Sequence, residues 1–145
     1  MAPTAEIMLA SPGAPFAPEV VDGVLEVAGE RRPAVLVLSV ARIWGTALGM
    51  PHPGLHPTRR ELDEQREIVS GAALRLAERG FEVAMRVVSA RDAGRAIARW
   101  AERSGCGVIV IADPPCGRWQ RLLRGDPPRD LLRRTRIPLH TVAVR

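Results

Sequence analysis

An α/β domain, a parallel sheet with helices on both faces, is the fold class that this chain of 145 residues predicts. Three observations carry the prediction. Ala34-Val35-Leu36-Val37-Leu38-Ser39-Val40 and Val108-Ile109-Val110-Ile111 are apolar without alternation, as strands covered on both faces are. Such runs alternate with longer segments whose apolar residues recur every three and four positions. And each run is separated from the next by enough chain for a helical crossover, which is what parallel pairing requires. A chain of this length forms one domain, burying about 70% of its unfolded surface without crosslinks.

Taken in order, Ile7-Met8-Leu9-Ala10 is a short strand stopped by Ser11-Pro12-Gly13. Pro18 opens a helix, where its missing N–H costs nothing, and Ala17, Val20, Val21, Val24, Leu25 and Ala28 form its apolar face. Gly29 and Arg31-Arg32-Pro33 close it. The second strand is Ala34 to Val40. Ala41 to Pro57 is then broken by three prolines and three glycines and carries Trp44, Met50, His52 and His56. Prolines beside the two histidines deny them helical geometry, so the segment reads as a lid over the strand ends and not as a metal site.

Thr58 to Arg79 is a long helix with acids in its early turns (Glu61, Asp63, Glu64), a buried stripe of Leu62, Val69, Ala73 and Leu76, and Gly80 as its stop. Phe81 to Val88 alternates with Glu82 and Arg86, which predicts a third strand near a sheet edge. Asp92 caps the next helix, whose face is Ala93, Ala96, Ile97, Trp100 and Ala101, and Ser104-Gly105 ends it. After the fourth strand, Pro127-Pro128 opens a short basic helix around Arg129 to Arg134. Pro138 to Val144 is the fifth strand.

Bulk properties bound the function. No run of about 20 apolar residues predicts a membrane span, and Met1 to Glu6 has no export signal. The two cysteines, Cys106 and Cys116, make neither a disulfide framework nor a zinc site, so a reduced, cytoplasmic protein is expected. The formal net charge is +5, and every basic residue is arginine. With aromatic residues at 3% and no tyrosine, a stacking platform for single strands has little to work with, and nucleic acid is not expected as a partner.

The loop that leaves the fourth strand is the candidate site, because ligands of open parallel sheets sit beyond the C-terminal strand ends. It reads Ala112-Asp113-Pro114-Pro115-Cys116-Gly117-Arg118 and continues to Gly125-Asp126. No nucleophile–base pair and no paired carboxylates stand at catalytic spacing, so no enzyme is expected. Cys106 adjoins a buried strand and reads as core. Cys116, among arginines, is the only candidate for thiol chemistry.

Ile7-Met8-Leu9-Ala10 with Gly13, Val37-Leu38-Ser39-Val40, Val87-Val88 with Asp92 and Ala96-Ile97, Cys106 to Ile111, and Leu131 to Arg134 with Ile137-Pro138 and Val142-Ala143-Val144 occur in an order that resembles the universal stress protein family over essentially the whole chain. The resemblance implies a Rossmann-like, five-stranded parallel sheet of order 3-2-1-4-5, with the crevice between the first and fourth strands. It implies a homodimer joined through the last strand (Leu139, His140, Thr141, Val142, Ala143, Val144), an edge that favours pairing unless it is covered.

ATP-binding members carry a loop of glycine, two residues, glycine, nine residues, glycine, then serine or threonine. By spacing these positions are Ala112, Pro115, Gly125 and Asp126, and the aspartate that usually ends the first strand falls on Pro12. The spacing is kept and the chemistry is changed. A phosphate cradle needs inward backbone N–H groups, and Pro114, Pro115, Pro127 and Pro128 have none. Asp126 sets a carboxylate where a hydroxyl would meet phosphate. At about 4 Å and an effective dielectric of ~20 that repulsion is roughly 4 kcal/mol, about a thousandfold in affinity. The expectation is therefore a non-enzymatic stress-response domain without cofactor, acting by dimerisation and association with a protein partner. Its rival is a nucleotide switch holding adenosine near Ser11, Pro12, Gly13 and Val40, with Arg118, Arg121, Arg124, Arg129, Arg133 and Arg134 gripping phosphate.

Overall fold

The computed structural model describes residues 3–42, 58–113 and 127–144. The elements alternate as the sequence predicts: β1 (Ile7–Ser11), α1 (Pro18–Ala28), β2 (Val35–Arg42), α2 (Arg59–Glu78), β3 (Val83–Ala90), α3 (Ala93–Ser104), β4 (Val108–Asp113), α4 (Pro127–Arg134) and β5 (Leu139–Ala143). The five strands form one sheet of order β3-β2-β1-β4-β5, parallel at every pairing. β1 is central, with Ile7 opposite both Val35 and Val108.

Strand alternation sends successive side chains to opposite faces, and two cores result. On one face Ile7, Leu9, Val35, Val37 and Val110 pack against Val20, Val21 and Val24 of α1 and Val69, Ala72, Ala73 and Leu76 of α2. On the other, Met8, Ala10, Leu36, Leu38, Ile109 and Ile111 meet Ala93, Ile97, Ala98 and Ala101 of α3 and Leu131 of α4. Each fully buried Leu, Ile or Val contributes roughly 1.5–3 kcal/mol.

The helix ends follow from local chemistry. Thr58 and Glu61 form a capping box: Thr58 Oγ1 accepts the Glu61 N–H at 3.2 Å, and the Glu61 carboxylate accepts the Thr58 N–H at 2.6 Å. Asp92 Oδ1 accepts the Arg95 N–H at 3.0 Å. Gly105 closes α3 in the left-handed conformation at φ 67°.

Several details differ from the sequence reading: β3 runs on to Ala90 and β4 to Asp113, past the predicted ends at Val88 and Ile111, and three further differences have clear causes. β3 starts at Val83 and not at Phe81, because the Phe81 N–H returns to Leu76 O at 3.2 Å and its ring enters the α2 core. β2 runs on through Ala41 and Arg42, which pair with Ser89 and Ala90, so the first two residues expected in the lid are strand. The α2 stripe leaves Leu62 half-buried and takes in Ala72. The rest of the expected lid lies outside the described residues.

Candidate ligand crevice

β1 is where the connections diverge: the chain leaves it toward β2 and β3 on one side, and β4 and β5 are added on the other. In open parallel sheets ligands bind at such a switch point, beyond the C-terminal strand ends. Ser11, Pro12 and Gly13 follow the end of β1, Val40 lies near the end of β2, and Ala112 and Asp113 end β4.

The turn after β1 is tied to itself. Ser11, 4% exposed, donates its hydroxyl to Ala14 O at 2.5 Å and accepts the Gly13 N–H at 3.2 Å. This serine turn redirects the chain within three residues. Gly13 sits at φ 116°, and a Cβ there would stand 3.1 Å from Val40 O. Both the conformation and the close approach of the two strand ends call for glycine.

Gln65 of α2 completes the rim. Its Nε2 donates to Gly13 O at 3.0 Å, and its Oε1 accepts the hydroxyl of the fully buried Ser39. One amide thereby links the turn after β1, β2 and α2, and it satisfies the Ser39 hydroxyl and the Gly13 carbonyl within the protein. A free pair of such groups would be worth about 1 kcal/mol each to an incoming hydrogen-bonding ligand; here a ligand that uses the same two groups competes with Gln65.

The structure thus brings Ser11, Gly13 and Val40 together, with Pro12 half-buried beside them and Ala112 half-buried at the end of β4. Pro115, Gly125 and Asp126 lie outside the described residues, as do Cys116, Arg118, Arg121 and Arg124. Cys106 is buried, its thiol 3.4 Å from Ala101 O, and burial pushes its pKa up to about 11. It is therefore a core thiol, unreactive at neutral pH. Trp100 packs against the α3 core while remaining partly exposed. Among the described residues no three His, Cys, Asp or Glu side chains gather as a metal site, and no helix is long and apolar enough to cross a membrane.

Two participants escape sequence reasoning. Gln65 reaches a carbonyl 52 positions away, with no motif to announce it. Asp92, legible as a cap, also takes Arg134 of α4 through Oδ2 at 2.8 Å.

The comparisons agree on the family and the fold. The model of the universal stress protein family matches residues 5–143. A protein from that family in Burkholderia pseudomallei is 25% identical with a TM-score of 0.66, the match covering 94% of this chain and 95% of that one. The universal stress protein from Archaeoglobus fulgidus in complex with dAMP is 17% identical, TM-score 0.67, covering 98% of each chain. An Arabidopsis thaliana universal stress protein family protein with AMP bound is 12% identical, TM-score 0.60, covering 99% of this chain and 93% of that one. Among curated proteins none matches in sequence.

Proposed function

The chain belongs to the universal stress protein family, and from that premise we propose that it is a non-enzymatic stress-response domain that acts by association through its β5 edge and does not bind ATP. The observation that carries the reading is the open edge itself. β5 is the last strand of the sheet. The Pro138 carbonyl accepts the Ile109 N–H at 3.0 Å, and the Val144 N–H donates to Asp113 O at 3.2 Å. In a parallel ladder the inward groups alternate along the strand, so His140 and Val142 also face β4, and Leu139, Thr141 and Ala143 turn their N–H and C=O groups outward. That row is a template for a second copy. A cytoplasmic location accords with this reading.

The ATP half of the proposal rests on the self-satisfied rim at Ser11, Gly13, Ser39 and Gln65, together with Pro115 and Asp126 at the positions where the family's loop has glycine and a hydroxyl. The alternative is a nucleotide switch using an atypical arginine-rich loop. It is favoured by the dAMP and AMP bound to the Archaeoglobus and Arabidopsis proteins.

Two measurements test the proposal. Light scattering on the eluting protein should give a dimer, and Thr141→Pro, which removes an outward N–H and spares the β4 ladder, should give a folded monomer; a wild-type monomer overturns the association. Melting curves with millimolar ATP and magnesium should superimpose on those without. A rise of several degrees selects the nucleotide switch.

A further inference from the structure

The two faces of the sheet differ in charge. α1 carries Glu19, Asp22 and Glu26 and no base, while α2 carries Arg59, Arg60, Arg66 and Arg75 against Glu61, Asp63, Glu64, Glu67 and Glu78. Together the two helices hold a net charge of −4. On the other face α3 carries Arg95, Arg99 and Arg103 against Glu102. There α4 carries Arg129, Arg133 and Arg134 against Asp130, which makes the pair +4. Arg91 before α3 and Arg136 after α4 are exposed, while Asp92 at the start of α3 is paired with Arg134. Arg95, Arg99 and Arg103 follow one another at every fourth position, all exposed, so they share one helix face. Among the described residues no carboxylate pairs with any of these three.

We propose that the α3–α4 face binds the sugar-phosphate backbone of double-stranded nucleic acid without reading its sequence. Charge complementarity and geometry favour this occupant. The arginine row rises about 6 Å per step along a helix about 18 Å long. Over that length a duplex presents roughly ten phosphates, each of which a guanidinium can grip bidentately. An anionic membrane surface is a poorer match, because a helix lying in the headgroups needs exposed Trp, Phe or Leu. The large apolar residues exposed among the described ones, Leu74 and Met85, belong to α2 and β3. An acidic protein would seek exposed apolar anchors on the same face; among the described residues α3 offers only Trp100, which is partly exposed and packs on the core. The scarcity of aromatic rings argued against nucleic acid only where bases must stack. Backbone binding to a duplex needs no ring.

The test is fluorescence anisotropy with a labelled DNA duplex of arbitrary sequence, about two helical turns long, titrated from low to physiological salt. The expected result is binding at low salt that weakens with a log–log slope of about −3 to −5. Arg95→Gln/Arg99→Gln/Arg103→Gln should lower affinity at least tenfold and flatten the slope by roughly three. The lysine triple variant at the same positions should retain most of the binding. Arg59→Gln/Arg60→Gln/Arg75→Gln removes the same charge from α2 and should change affinity less than about twofold. All replaced side chains are exposed, and circular dichroism melts confirm folding. Absence of binding at low salt, equal losses from the α2 and α3 variants, or tighter binding to phosphatidylserine vesicles than to the duplex each overturns the proposal. A preference above tenfold between unrelated duplexes overturns its independence of sequence.

Discussion

The α1–α2 layer and the α3–α4 layer cover opposite faces of one sheet and solve the same packing problem with different surfaces. Their inner sides are interchangeable in kind: valine, leucine, isoleucine and alanine, nearly all inaccessible to solvent. Their outer sides are opposite in sign. The sheet dictates what a helix shows inward and leaves its solvent side open, so a difference confined to that side records something other than folding. A single surplus of arginine spread over the whole chain would have reached α1, and it does not.

The two layers should respond alike to cavities in their cores. Leu76→Ala in α2 and Ile97→Ala in α3 each empty a site that is 0% exposed, and each should cost about 2–5 kcal/mol in urea unfolding. A much smaller loss in one layer would mark that layer as loosely packed. The layers should next part company at alkaline pH. Cys106 belongs to the α3 core, and its thiol is raised from 9.0 to about 11. Below pH 9 the thiol is neutral whether the chain is folded or not, and its contribution is fully present. As pH rises toward 11 only the unfolded chain releases the proton, so stability should fall by roughly 2 kcal/mol. The sequence has no lysine or tyrosine to mask the effect, and Cys106→Ala should flatten the profile.

A third contrast concerns how the outer strand is held. Gly23 lets α1 lie directly on β5: a Cβ there would stand 2.6 Å from Val142 Cγ2 and 3.3 Å from Val110 Cγ1. Gly23→Val should therefore destabilise by about 1–3 kcal/mol and speed amide exchange in β5 before β3; uniform loosening would contradict this. The smallest effect compares the caps. Thr58→Ala and Asp92→Ala should each cost about 1 kcal/mol. The Asp92 change should exceed the other by only a few tenths, since its pair with Arg134 is 40% exposed on both sides.

Much of this architecture is legible in the sequence. Val108 to Ile111 and Val35 to Val40 are too apolar to face water, and Pro18, Thr58, Asp92 and Gly105 mark helix ends through purely local chemistry. Boundaries shift where a distant partner decides them: Arg42 is strand because Ala90 lies opposite it, and Phe81 is not because Leu76 O holds its amide. The strand ends were legible in position and not in wiring. Ser11, Gly13 and Val40 fall where the strand ends predict, but Gln65 reads as one more polar residue on a solvated helix until the fold brings it over Ser39. The division of charge is hidden in the sequence for a similar reason. A net charge of +5 carries no address until each helix has been assigned to a side.

The open side of β5 has a geometric corollary. Two copies meeting there antiparallel are related by a dyad perpendicular to the joined sheet, and such an axis never exchanges front and back. One broad side of the pair would then gather the guanidinium groups of both copies, and the reverse would gather their carboxylates, giving a plate with two oppositely charged surfaces.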